Sequence, residues 1–144
     1  MPDKIVVGYD GSDSAERALK FAVDKAKAQG GSVVVAHVLE WSPYSFLTPD
    51  ELEERHKRRR EELARAEKAL LTPVMDKLSK DGVTAESVMK YGGVTDTLCA
   101  IAKDTGAAQI VIGRTGDGQF SARIFGSVAG SLAQSAPVPV TIVP

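Results

Sequence analysis

The sequence is poor in the residues that build covalent or metal frameworks, with one cysteine, one tryptophan and two histidines. A single cysteine excludes an intrachain disulfide framework and fits a reducing compartment. Cys99 falls on the apolar side of a helical segment. It has neither the helix N-terminus nor the basic neighbour that activates a thiol, and reads as a small core residue. No Cys/His cluster offers metal-ligand spacing. Long apolar runs are missing too, and none approaches the ~20 residues of a membrane span. Neither charge sign dominates: 18 Lys and Arg face 19 Asp and Glu, a net charge of -1. No overall field therefore draws the chain to nucleic acid or anionic lipid. The strand-like run from Lys4 is expected to leave no room for a signal peptide, which makes a cytoplasmic location the expectation. Neither internal repeats nor low-complexity segments occur.

What is present suits one globular domain spanning residues 1–144, with 43% hydrophobic and 26% charged residues. β-Branched runs at 4–9, 32–39, 83–90, 108–112 and 138–143 read as strands. Segments 15–29, 50–80, 94–105 and 127–135 read as helices, the first two-thirds of the longest being densely charged. Pro73 should kink that helix or mark a restart. Strands alternating with helices predict an α/β fold: an open, doubly wound, five-stranded parallel sheet in order 3-2-1-4-5, with helices on both faces. In such a sheet a ligand sits beyond the carboxyl ends of the strands where the winding reverses, here between strands one and four.

The stretch after the fourth strand carries the strongest chemical signal. Five of the 13 glycines lie between residues 113 and 130. A strand, a Gly-rich loop and a helix N-terminus together suit phosphate: glycine lets the backbone approach an anion, and the free amides of the helix face it. Asp10, at the end of strand one, offers a carboxylate to ribose hydroxyls or to a phosphate-bound Mg²⁺, or an N-cap to the first helix. Arg114 and Arg123 lie in the Gly-rich loop and can clamp phosphates. His37 is alone among apolar neighbours and reads as a satisfied core residue. Lys57-Arg-Arg-Arg60 is flanked by glutamates, with Glu53–Lys57, Glu54–Arg58 and Glu61–Arg65 at i,i+4, and reads as a solvated helix face. Trp41, Tyr44 and Phe46 fit a base cover, loop packing or a partner surface equally well.

Gly113, two residues, Gly116, nine residues, then Gly126-Ser127 is similar to the ATP-binding pattern of the universal stress protein family, and the resemblance runs along the whole chain. It implies the same strand order, an acid at Asp10 in contact with the nucleotide, and adenine held through the backbone of Val38. It also implies two-fold pairing through the C-terminal strand, 138–143, an apolar edge that favours a homodimer. The candidate nucleotide-binding residues are Tyr9, Asp10, Gly11, Ser12, Val38, Ile112, Gly113, Arg114, Gly116, Arg123, Gly126, Ser127 and Val128. The expected ligand is ATP, or AMP or cyclic AMP, with Mg²⁺ carried on the phosphates and no direct metal site. No His, Glu or Lys is placed by a motif at the γ-phosphate, so a nucleotide-responsive stress or regulatory module is expected rather than a turnover enzyme. The alternatives are a slow ATPase or nucleotide α-hydrolase, and a cyclic-AMP-binding member. Asp10-Gly-Ser-Asp-Ser14 weakly resembles the phosphate loop of ATP pyrophosphatases, but the first Ser and one Gly are missing.

Overall fold

The computed structural model describes residues 3–39, 48–114 and 128–144. The strands are β1 (Lys4–Gly8), β2 (Ser32–Leu39), β3 (Ala85–Tyr91), β4 (Gln109–Gly113) and β5 (Val140–Val143). The helices are α1 (Asp13–Gln29), α2 (Pro49–Ala66), α3 (Thr72–Lys80), α4 (Val94–Thr105) and α5 (128–135). All strand pairs are parallel, and the sheet order is β3-β2-β1-β4-β5, as the alternation of elements predicts.

The period-two alternation of the strands divides the core in two. Ile5, Val7, Val33 and Val35 face α1 and α3, packing on Ala18, Ala22, Leu71 and Leu78. Val6, Val34, Ile110 and Ile112 face α4 and α5, packing on Leu98, Ile101 and Leu132. Each such fully buried aliphatic side chain contributes ~1.5–3 kcal/mol. Helices α1 and α3 cover one face and α4 and α5 the other, so the winding reverses between β1 and β4.

The ends of elements differ from expectation for local reasons. Helix α1 begins at Asp13, because Ser12 caps it by accepting from Ala15 N at 3.1 Å. The cap is Ser12, and Asp10 is not used for it. Strand β5 starts at Val140, since Pro139 has no N–H for the ladder; its carbonyl accepts from Ile110 N at 3.0 Å. The long charged stretch restarts at Pro73, as expected: a new helix, α3, begins at Thr72. A π-helical turn, Glu67–Leu71, joins α2 to α3, and the Thr72 amide reaches back to the Glu67 carbonyl. This wider turn sets Pro73 within the first turn of α3, where a missing N–H costs little. Among the described residues, no helix is long and apolar enough to cross a membrane.

Candidate functional site

The β1–α1 turn is fixed by its own short side chains. Asp10 Oδ1 accepts from Ser12 N at 2.9 Å, folding the backbone over on itself, and Ser12 then caps α1. Gly11 lies between them at φ +83, a conformation that favours glycine, and a Cβ there would meet Leu70 Cδ1 of the π-helical turn at 2.8 Å. Neighbouring elements complete the placement. Tyr9 N donates to the Ala36 carbonyl at 2.8 Å, and the His37 ring nitrogen Nδ1 lies 2.8 Å from the Tyr9 carbonyl. These bonds bring the end of β2, with Val38, beside Asp10.

Gly113 closes the other side. It ends β4, is buried, and its φ is not positive. A Cβ on Gly113 would lie 2.8 Å from the backbone carbon and oxygen of Ser14. The glycine thus lets the first turn of α1 rest directly on the end of β4. Asp10, Gly11, Ser12 and Gly113 therefore lie at the carboxyl ends of β1 and β4, where the winding reverses, with Val38 one strand away at the end of β2.

The other expected site residues divide by what their side chains touch. Tyr9 is 4% exposed, and its ring packs in the core beneath α1 while its hydroxyl donates to Glu16. Burial first, then the bond to Glu16 and that residue's charge, push the phenol well above its ordinary range. Ile112 and Val128 belong to the core beneath α4 and α5. The side chains of Tyr9, Ile112 and Val128 are thus taken up by the core, and the main chain of Tyr9 is bonded to β2 through both its N–H and its C=O. Arg114 has an exposed side chain, while its amide donates to the Val143 carbonyl at 2.8 Å. Gly116, Arg123, Gly126 and Ser127 lie outside the described residues, as do Trp41, Tyr44 and Phe46.

Three contributors are not legible as site residues in the sequence. Ser14 is 3% exposed under Gly113, Leu70 backs Gly11, and His37 holds Tyr9. Only Ser14 leaves a local trace, as a small polar residue beside a helix start. A cavity of ≈ 720 Å³ between α1 and α3 touches this region only through Tyr9 and Gly11; Leu19, Leu70, Val74 and Leu78 line it further along. It lies on the α1 and α3 face, not at the winding reversal. Among the described residues, no group of three or more His, Cys, Asp or Glu is placed to hold a metal ion.

Helix α2 stands apart from this cluster and has no buried residue. Glu54 and Arg58 close an ion pair at 3.8 Å. The helix is tied to β3 where the Tyr91 hydroxyl donates to Glu62 and Arg59 lies over the Tyr91 ring, 5.4 Å from its centroid. Partial burial and the Glu62 contact push the Tyr91 phenol up to about 12.

Comparison with known proteins follows the same lines. The sequence model of the universal stress protein family matches residues 1–144. A universal stress protein of Thermus aquaticus is 36% identical over 143 residues, covering 96% of each chain. A universal stress protein from Archaeoglobus fulgidus, solved in complex with dAMP, is 26% identical with a TM-score of 0.60, covering 100% of this chain and 98% of its own. A universal stress protein solved in complex with cAMP is 25% identical with a TM-score of 0.68, covering 99% and 96%.

Proposed function

The chain belongs to the universal stress protein family, and on that premise we propose that it is an adenine-nucleotide-responsive regulatory module whose ligand is ATP. The observation that carries this reading is that Asp10, Gly11, Ser12 and Gly113 meet where the sheet reverses its winding, with Val38 at the end of the neighbouring β2. The two relatives solved with dAMP and cAMP support an adenine nucleotide in general.

In this assignment the base lies against the backbone of Val38, and Asp10 accepts from the ribose. The phosphates run toward Gly113 and on to Gly116, Gly126 and Ser127, with Arg114 and Arg123 as counter-charges. Mg²⁺ arrives with the nucleotide and neutralises part of the phosphate charge. A binding role is favoured over turnover because no motif places a His, Glu or Lys at the γ-phosphate. Cyclic AMP is the second reading, favoured by the cAMP complex of the 25% identical relative.

Pairing through β5 belongs to the same proposal. This strand lies at one edge of the sheet, and Ile142 is 41% exposed there. An apolar edge of this kind pairs readily with a second copy. Light scattering at micromolar concentration should give the mass of a dimer; a monomer mass removes the pairing.

The nucleotide itself is tested by denaturing freshly purified protein and identifying what is released, followed by calorimetric titration with Mg-ATP, AMP and cyclic AMP. Released ATP and the tightest titration with Mg-ATP are expected. Cyclic AMP in both experiments would replace ATP as the ligand, and absence of any adenine-nucleotide binding would overturn the reading.

A further inference from the structure

Strand β2 turns its main-chain groups alternately to its two neighbours. Ala36 faces β1, because its carbonyl accepts from Tyr9 N, and Leu39 faces β3, because its carbonyl accepts from Gly92 N at 3.0 Å. Val38 shares the parity of Ala36, so its N–H and C=O are directed toward the carboxyl end of β1. In a parallel ladder carried one step further, the Val38 N–H would donate to the Tyr9 carbonyl. The ladder is not carried further: the β1–β2 register stops at Gly8 and Ala36. The Tyr9 carbonyl meets the His37 ring instead, with Nδ1 at 2.8 Å. A carbonyl only accepts, so Nδ1 carries the proton and Nε2 is the basic nitrogen of the neutral ring.

We propose that His37 is a positioning residue whose imidazole takes the hydrogen bond that would otherwise zip β2 onto Tyr9, and so keeps the Val38 N–H and C=O open to the edge of a base. The inference rests on the adenine-nucleotide reading for its consequence but not for its geometry. A peptide N–H beside a C=O matches the Watson–Crick edge of adenine: the N–H donates to N1, and the C=O accepts from the N6 amine. Guanine reverses both, with a donor at N1 and an acceptor at O6. His37 therefore contributes to base selection without touching the base. Because a held main chain does the selecting, loss of the imidazole should change selectivity while leaving the fold intact.

The test uses the isosteres of histidine. Asparagine places an N–H donor close to the position of Nδ1, glutamine places one near Nε2, and leucine has none. Exchange of the Val38 amide with solvent is measured by NMR in nucleotide-free protein. His37→Asn is expected to exchange as the wild type does. In His37→Leu the Val38 amide should pair with Tyr9 and exchange about tenfold more slowly or less still. Titrations with Mg-ATP and Mg-GTP should then show the ATP preference falling about tenfold in His37→Leu and His37→Gln, with recovery in His37→Asn. Thermal unfolding reports whether each variant folds; should His37→Leu fail, the Asn and Gln pair carries the comparison. Equal Val38 exchange in the wild type and the variants lacking the Nδ1 donor overturns the role of His37, whatever the nucleotides do. Slowed exchange without nucleotide binding by any protein, the wild type included, overturns the adenine reading and leaves the imidazole's hold on the strand end supported.

Discussion

The β1–α1 turn and helix α2 are both polar stretches reached from the end of a strand, yet the fold treats them in opposite ways. In the turn, Ser12 and Ser14 are buried, and Asp10 and Ser12 spend their oxygens on nearby amides. In α2 no residue is buried, and the Arg58–Glu54 pair leaves its side chains 71% and 59% exposed. Size and reach account for the difference. A short hydroxyl or carboxylate meets the backbone within a residue or two, so its burial is compensated. A long charged side chain would lose hydration that one distant partner cannot replace. Binding needs groups held in place in advance, which the turn supplies and α2 does not.

The sharpest way to break the comparison is at Gly113. A valine there drives its Cβ into the backbone of Ser14 and separates α1 from β4. Gly113→Val should destabilise the protein by about 3 kcal/mol, the upper range for forced packing, and abolish nucleotide binding with it. Denaturant unfolding against the wild type checks the first effect and calorimetry the second.

Asp10→Ala should cost about tenfold in Mg-ATP affinity and about 1 kcal/mol in stability, because it removes a proposed ribose acceptor and the bond from Ser12 N. Ser12→Ala should destabilise by a similar ~1 kcal/mol through loss of the α1 cap, but weaken ATP less, since its backbone remains. Unchanged ATP affinity in Asp10→Ala would separate the turn's structural role from any binding role.

The tyrosines test the two regions by pH. Both phenols titrate above their ordinary 10.0 in the folded chain, Tyr91 at about 12 and Tyr9 higher still. A raised phenol stabilises the fold fully below pH 10.0, and this contribution is lost as pH climbs toward the folded value. Stability should therefore decline above pH 10, and most of that decline should vanish in Tyr9→Phe, whose hydroxyl is the buried one. Tyr91→Phe, at the margin of α2, should change it far less. Denaturant midpoints across this range, for both variants, make the check.

The smallest effect is expected on α2 itself. Replacing Lys57, Arg58, Arg59 and Arg60 with glutamate should leave Mg-ATP affinity within about twofold in 0.1 M salt, where exposed charges are screened within ~10 Å. Stability should fall by about 0.5–1 kcal/mol from the lost contact of Arg59 with Tyr91. A tenfold loss of affinity would place α2 at the nucleotide and end the contrast.

The sheet order and its winding were legible because Val33–Val35 and Ile110–Ile112 are unbroken β-branched or aliphatic runs separated by helix-length segments. Asp10 and Gly113 were legible as site candidates because one directly follows β1 and the other ends β4, the two strands at the reversal. The cap at Ser12 was only one of several candidates, since Asp10, Asp13 and Ser14 are all capping residues. The π-helical turn left no trace beyond Pro73, which announces a break but not a bond from Thr72 to Glu67. The reason for glycine at 113 is a contact with Ser14, distant in sequence, and no local pattern contains it. The part played by His37 depends on where β1 stops, which is likewise a tertiary fact.

The contrast between turn and helix meets its most direct test in an amide-resolved NMR titration of the isotope-labelled wild type with Mg-ATP. Saturable shifts are expected at Asp10, Gly11, Ser12, Val38 and Gly113, with the amides of residues 51–62 in α2 unmoved. Shifts confined to α2, or to the α1–α3 cavity around Val74 and Leu78, would contradict the placement of the nucleotide at the winding reversal.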